Sequence, residues 1–482
     1  MRSVLTRQPT AAGTARPPGG WLLVAGVAAF VVALGGYVIY TVIHPMSYTL
    51  DPVDLAVYRS GGLIVRHIRP DYNPHLAAPL YDWVGYGKLH LPFTYTPFAA
   101  VAFALVSFVP YALSLKLSVA VDLVSFLAAV WFTLGGLGYR RYAIRVGGTL
   151  LGTAAVLWTE PVLRTIYLGQ VNLVLLALIL WDLTQPDTGK SRWWKGFGAG
   201  IAAGIKLTPL IFIPYLLVAR KFRQAATAAA GFAFTVLLGF VILPHDSAKW
   251  WFGGLFFQGK RTGFIGWAGN QSLDGFITRL AGSIHGGLVP WIVVALLIAV
   301  AGVVSAGLLD RKGHAMLGLL MAALTGLLVS PISWDHHWIW IVPGVVVAAH
   351  YAVRAWQSGA RRIATACAIG AVAIAAWFGA WPTSLFHVKP PHLGNDSLGL
   401  LWIPPNTEPY YYQWYGDQRW FPEYHWHGLA LITGNAFVLA GLAVFALMLA
   451  ACLLLPHPTK GDDDEPGRSH PDQRGHLRLP AA

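Results

Sequence analysis

The sequence predicts an all-α polytopic membrane protein, and three observations predict it. Of its 482 residues 56% are hydrophobic and 11% charged, against roughly 25% charged in a soluble domain. Apolar runs of about 17 to 25 residues, the length a helix needs to cross a hydrocarbon core, recur along nearly the whole chain. The alternating polar and apolar segments of a transmembrane barrel are missing.

The formal charge of +13 sits in short clusters between apolar runs instead of along one face, so it reads as topology and not as a nucleic-acid surface. Cys367 and Cys452 both fall inside predicted spans as small packing residues, which leaves neither a disulfide framework nor a cysteine metal site. Cytoplasmic loops are rich in Lys and Arg, so the clusters orient the spans.

The polar tail 1–20 carries Arg2, Arg7 and Arg16 and is expected in the cytoplasm. The run 21–43 is too long for a signal-peptide core and reads as a retained first helix. Segment 44–92 then faces the other side. Residues 93–138 hold two apolar stretches, but the basic residues Arg140, Arg141 and Arg145 allow only an odd number of crossings, so 93–110 is expected to be interfacial or re-entrant. Lys190, Arg192 and Lys195 flank 196–219 on one side and Arg220, Lys221 and Arg223 on the other. Two short helices meeting at a break near Lys206 satisfy that charge pattern, and broken backbone at membrane depth implies a wet or protein-walled cavity.

Further along, 244–286, Ser330 to His337 and 381–427 are expected on the non-cytoplasmic side. Arg311 with Lys312, Arg354 with Arg361 and Arg362, and the tail 457–482 are expected on the cytoplasmic side. The result is about twelve spans, both termini cytoplasmic, one transmembrane unit over 21–456, and a polar tail too poor in apolar residues to fold. Segment 381–427 is dense in aromatic residues, among them Trp402, Tyr410, Tyr411, Tyr412, Trp414, Tyr415, Trp420, Phe421, Tyr424 and Trp426. It reads either as an interfacial cap or sugar platform, or as an aromatic belt that anchors the fold.

The motifs that carry chemistry all fall on the non-cytoplasmic side. Asp54 follows the first span by about ten residues. A carboxylate near an apolar bilayer has a partner or a task, and as a general base it would take the proton of an attacking hydroxyl. Asp51 precedes a proline and reads as turn chemistry, while Asp71 and Asp82 lie in the same segment without a motif. Glu160-Pro161 and Arg164 close one span, and Gly169-Gln170-Val171-Asn172 opens the next. Arg164 either holds a phosphate by charge-assisted hydrogen bonds or snorkels to the interface. Lys206, beside the break, is the stronger phosphate ligand. Gln170 and Asn172 are sugar-binding amides or helix-start caps. Asp335, His336 and His337 sit among Trp334, Trp338 and Trp340, and their spacing lacks the three or four ligands of a metal site. Asn270-Gln271-Ser272 matches a glycosylation sequon and equally a site motif.

Together, Asp54-Leu-Ala-Val-Tyr58, Leu91-Pro-Phe-Thr-Tyr-Thr-Pro-Phe98, Gly169-Gln-Val-Asn172, Lys206-Leu-Thr-Pro209, Asn270-Gln-Ser272 and Ser330-Pro-Ile-Ser-Trp-Asp-His-His-Trp338 resemble glycosyltransferase family 87. Within it the likeness is to actinobacterial polyprenol-phosphate-mannose-dependent α-1,2-mannosyltransferases that build phosphatidylinositol mannosides, lipomannan and lipoarabinomannan. The resemblance implies the GT-C fold and an active site formed by non-cytoplasmic loops of a multi-pass plasma-membrane protein. It implies Asp54 as catalytic base, Lys206 beside the polyprenyl phosphate, and His336 and His337 near the donor phosphate or the acceptor. Arg164, Gln170, Asn172, Asn270, Gln271, Tyr58 and Tyr95 complete the expected substrate-binding set. Its partners would be a polyprenyl-phosphate mannose donor, a glycolipid or lipoglycan acceptor and the bilayer, with no nucleic acid, cofactor or metal. Thr96 stands where the family motif has proline, and Asp335 where a small polar residue is usual.

The chemistry fits that resemblance. A polyprenyl phosphate is already a good leaving group, so one base and some cations suffice, and a β-linked donor would give an α product with inversion. An arabinofuranosyltransferase or another polyprenyl-phosphate-sugar transferase of the same fold is the nearest alternative. A lipid-linked sugar flippase or transporter would use broken helices and an intramembrane lysine as a pathway, but it predicts an internal repeat that the sequence lacks.

Overall fold

The computed structural model describes residues 20–43, 52–67, 80–81, 91–187, 191–258, 261, 263–379 and 422–455. The tails 1–19 and 456–482, Asp51, Asp71, Asp82 and most of the aromatic segment lie outside them. Among the described residues the fold is wholly helical, with two isolated β-bridges, Thr159 to Gly379 and Asn270 to Trp334.

Among the described residues six helices are long and apolar enough to cross a membrane: α1 (Gly20–Ile43), α4 (Tyr111–Gly136), α10 (Phe222–Ile242), α13 (Ile284–Arg311), the segment Asp335–Gln357, whose α-helical part is α15 (Ile341–Gln357), and α17 (Ala436–Leu454). A seventh span is available if α6 (Glu160–Leu168) and α7 (Asn172–Leu183), bent by 116° at their junction, are counted as one. The shorter helices α5 (Tyr142–Val156), α8 (Phe197–Ile205), α14 (Ala315–Val329) and α16 (Arg361–Trp377) fill the spaces between them. The chain is therefore polytopic, and of the about twelve spans expected from the charge pattern the described residues show six helices long enough to cross, or seven with the bent pair. Much of the apolar sequence is instead cut into short or bent helices. Outward positions on the long helices are apolar, such as Val31, Val32, Val289, Leu296 and Leu297, as a lipid-facing surface requires.

Small residues let these helices approach closely, which is how helices associate where lipid removes the hydrophobic drive. A Cβ on Gly26 of α1 would lie 2.3 Å from the Gly147 carbonyl oxygen of α5, and one on Gly200 of α8 would lie 2.2 Å from the Ala228 oxygen of α10.

Breaks in the pattern build the site. Helix α2 (Val53–Val65) packs on α3 (Pro97–Phe103), whose 3₁₀ extension runs to Phe108. This piece over 97–108 is too short to span, in keeping with the expected interfacial or re-entrant role. Thr96 caps α3 by accepting from the Ala99 N–H at 3.1 Å and donates to the Gly204 carbonyl. A proline at 96 could do neither, and the hydroxyl ties α3 to the break at Lys206. There α8 ends, Lys206 is extended at φ −135° and ψ 127°, and a 3₁₀ turn at Thr208–Ile211 leads into α9 (Phe212–Val218).

The core has one main apolar cluster through the helices and two smaller ones flanking the site. One joins Tyr58, Tyr81, Phe93 and Phe103 to Trp250 and Leu255 of α11 (Pro244–Trp251) and its extension. The other joins Phe264, Trp267 and Ala268 to Ile332, Trp334, Tyr424 and Trp426. The described end of the aromatic segment thus packs onto the protein, with Tyr424 and Phe264 ring centres 5.8 Å apart.

Candidate active site

A cavity of about 780 Å³ lies between the two flanking clusters, and it is lined by Asp54, Tyr95, Arg164, Gln170, Lys206, Asp335, His336 and His337. Each comes from an interruption of regular helix. Asp54 is in the first turn of α2, where the helix N-terminus favours negative charge. The α6–α7 elbow supplies Arg164 and Gln170. It turns at Gly169, which has φ +65° and whose absent Cβ would stand 2.7 Å from Leu55 Cβ; glycine meets both demands. The Lys206 break and the 3₁₀ turn at Asp335–Trp340 supply the rest.

Asp54 hydrogen-bonds to Gln170. The orientation of that amide follows from its other partners. Tyr58 donates to Gln170 Oε1 at 2.6 Å, and the Tyr95 hydroxyl is 2.7 Å from that of Tyr58 and 3.3 Å from the same Oε1. With its oxygen so engaged, Gln170 presents its NH₂ to the carboxylate. Burial pushes the Asp54 carboxyl above its ordinary pKa, and His336, the Gln170 hydrogen bond, Lys206 and Arg164 pull it back. A base with a raised pKa is stronger, which suits proton abstraction from a hydroxyl.

Cations form the opposing wall. Lys206 Nζ donates to Asn172 Oδ1 and to His337 Nε2, both at 2.8 Å, and one of its three N–H bonds is left for a ligand. Asn172 in turn donates to the His336 carbonyl at 2.9 Å, fixing the histidine pair to α7. Asp335 accepts from Arg164 Nε at 3.1 Å and from His336 Nδ1 at 3.0 Å. The His336 Nδ1–H therefore points at Asp335, and Nε2 is buried with no partner among the described residues on the cavity wall. A histidine oriented by a carboxylate through Nδ1–H presents its other nitrogen as an acceptor, ready to receive a hydroxyl. Among the described residues no group of three or more His, Cys, Asp or Glu side chains is placed to hold a metal ion.

Asn270 and Gln271 are not brought into the cavity. Asn270 Nδ2 donates to the Ile265 and Pro331 carbonyls, each at 3.0 Å, and its Oδ1 accepts from Ser333 N at 2.9 Å. Gln271 donates to Ala268 and Gly434 carbonyls and accepts from Phe437 N. The Asn-Gln-Ser motif thus clamps the 264–272 loop to the 330–335 segment and to α17, holding Trp267, Trp334 and Asp335 in place. Arg279, wholly buried, reinforces the clamp through the Trp267 and Asn270 carbonyls and Asn435 Oδ1. Arg279, Asp274 and the Asp335 relay were not singled out by the sequence; the signal for the first two was a pair of opposite charges in the short helix α12 (Leu273–Ala281).

The model of glycosyltransferase family 87 matches residues 93–331, which include Tyr95, the α6–α7 elbow, Lys206 and the 270–272 clamp. A polyprenol-phosphate-mannose-dependent alpha-(1-2)-phosphatidylinositol pentamannoside mannosyltransferase of Mycobacterium tuberculosis (strain CDC 1551 / Oshkosh) is 34% identical over 325 residues, 66% of this chain and 70% of that protein. The chain belongs to glycosyltransferase family 87. A second relative, the polyprenol-phosphate-mannose-dependent alpha-(1-2)-phosphatidylinositol mannoside mannosyltransferase of Mycobacterium tuberculosis (strain ATCC 25618 / H37Rv), is 32% identical over 340 residues, 68% of this chain and 74% of that protein. The pentamannoside mannosyltransferase of Mycolicibacterium smegmatis is 35% identical over 287 residues, 56% of this chain and 65% of that protein. No solved structure matches the chain. The protein is a family 87 glycosyltransferase.

Proposed function

We propose that the chain is a GT-C mannosyltransferase that moves mannose from polyprenyl-phosphate mannose to a phosphatidylinositol-mannoside type of glycolipid, with inversion and an α-1,2 linkage. The observation that carries this reading is one cavity that brings together Asp54, a carboxylate not held in an ion pair by those cations among the described residues, with Lys206, Arg164, His336 and His337. The relatives' names supply the donor and the class of acceptor. Asp54 would deprotonate the acceptor hydroxyl as it attacks the anomeric carbon. The C–O bond to the phosphate breaks on the opposite face, and the departing phosphate meets the free Lys206 N–H, a donor placed where negative charge develops, while His336 Nε2, an acceptor in the tautomer that Asp335 fixes, would take a substrate hydroxyl. Asp335 would hold His336 in the required tautomer and steady Arg164.

The transmembrane unit 21–456 would place this cavity on the extracytoplasmic face of the plasma membrane. Nucleotide sugars are confined to the other side, so a lipid carrier has to bring the mannose. The test is transfer by purified protein in lipid nanodiscs, with polyprenyl-phosphate mannose, polyprenyl-phosphate arabinose and a nucleotide mannose compared on one phosphatidylinositol-mannoside acceptor. Transfer from the first alone is expected. Transfer only from the arabinose donor, or only from the nucleotide sugar, would overturn the reading.

A further inference from the structure

Besides Asp54 and Asp335, the cavity contains a third carboxylate that the reaction above does not use. Asp274 lines it from the first turn of α12 and is 5% exposed. The helix does not need Asp274 as a cap, because Ser272 Oγ already accepts from the Gly275 N–H at 3.1 Å. One carboxylate oxygen receives a 3.3 Å hydrogen bond from Thr278, and the other accepts none among the described residues. Across from it, Trp291 of α13 also lines the cavity, and its indole N–H is buried without a partner among the described residues. The two are neighbours by packing. α12 and α13 run back to back through the turn at Gly282 and Ser283, and Gly287 lies so close to Thr278 that a Cβ would come within 2.9 Å of its Cα. One helical turn further from that contact, in opposite directions along the chain, stand Asp274 and Trp291.

A carboxylate oxygen open to the cavity beside a buried indole N–H without a partner among the described residues offers an acceptor and a donor that a ligand can complete. A polyol does so: one hydroxyl donates to the carboxylate, a second accepts from the indole, and the apolar face of a pyranose fits the indole rings of Trp267 and Trp334 on the same wall. Asp54 feels the charges of His336, Lys206 and Arg164, whereas Asp274 feels that of Arg279, so the two carboxylates serve separate neighbourhoods. Burial also lifts Asp274 to about 6, so it is ionised at neutral pH. The donor carries one sugar, whose anomeric carbon has to lie between Asp54 and the cations. The rest of the cavity is left to the acceptor. We propose that Asp274 and Trp291 form a subsite for the hydroxyls of an acceptor sugar residue next to the one that is glycosylated. This rests on the transferase reading above and adds to it a determinant of acceptor choice.

The experiment compares wild type, Asp274→Asn and Trp291→Phe in nanodiscs, measuring KM for the phosphatidylinositol-mannoside acceptor and for polyprenyl-phosphate mannose separately. Loss of one hydrogen bond to a charged group predicts an acceptor KM raised about tenfold in Asp274→Asn and raised less in Trp291→Phe, with donor KM unchanged. A raised donor KM with an unchanged acceptor KM would overturn the subsite, as would a fall in kcat alone, which is the signature of a structural role. Saturation-transfer NMR with soluble α-mannobiose and arabinobiose separates this failure from failure of the transferase reading. Contact with wild type and Asp54→Asn, lost in Asp274→Asn, supports the subsite even if no mannose is transferred, and no contact with wild type to either sugar contradicts it.

Discussion

At the scale of single residues, the account depends on how Asp54 is held. The two tyrosines turn the Gln170 amide, and the amide supports the carboxylate. Since that hydrogen bond lowers the Asp54 pKa against the upward push of burial, its removal in Gln170→Leu is expected to raise the pKa further. The rate requires the ionised form, so activity falls as pH drops through this pKa. The acid limb of wild type is expected above the ordinary carboxylate range near about 4, and that of Gln170→Leu at higher pH still; a pH profile of kcat/KM for each checks both. An acid limb unmoved in Gln170→Leu would separate the amide from the base. Lys206→Met removes the donor to Asn172, His337 and the ligand. It is expected to lower kcat/KM for the polyprenyl-phosphate donor about a hundredfold, by analogy with the loss of one transition-state donor, and steady-state kinetics with varied donor measures it.

At the scale of elements, the site is made of interruptions. The bent α6–α7 pair, the extended Lys206 and the 3₁₀ turn after Trp334 each project polar groups into one cavity that continuous helices could not line. Gly169→Ala would force a Cβ into Leu55 at a left-handed φ. A loss of about 2 kcal/mol or more is expected, combining the left-handed penalty with the clash, and thermal unfolding in detergent would show it. Asn270→Ala strips the clamp of hydrogen bonds to Ile265, Pro331 and Ser333. It is expected to lower the unfolding temperature together with activity, whereas a ligand-binding residue would change KM in a protein of unaltered stability.

These elements also show what the sequence can and cannot reveal. The Lys206 break was legible because basic flanks and a Lys-Leu-Thr-Pro core do not fit one span. The elbow was legible from Gly-Gln-Val-Asn. The role of Asn270 and Gln271 was not, because an amide beside a turn looks the same whether it binds sugar or backbone, and only the partner 61 residues away decides it. The Asp335 relay was hidden for a similar reason, its Arg164 partner being 171 residues distant.

At the scale of the whole molecule, hydropathy and charge disclosed a polytopic helical membrane protein, while six or seven of the expected crossings are long apolar helices among the described residues. A run of apolar residues is the same in composition whether it forms one long helix or, as at 160–183 and 196–218, two short ones meeting at a bend. The motifs expected on one face do converge, with Asp54, Tyr95, Arg164, Gln170, Lys206, His336 and His337 around one cavity, although they come from segments spread over much of the chain. Convergence of a single base with several cations is the central claim, and it is a claim about chemistry. The most direct measurement is single-turnover mannose transfer from polyprenyl-phosphate mannose by wild type and Asp54→Asn at saturating substrates. Asparagine keeps the size of the side chain and a hydrogen bond to Gln170 while removing the basicity. The account predicts a rate constant lower by about 10² to 10⁴ with the donor still bound; transfer by Asp54→Asn at the wild-type rate would contradict it.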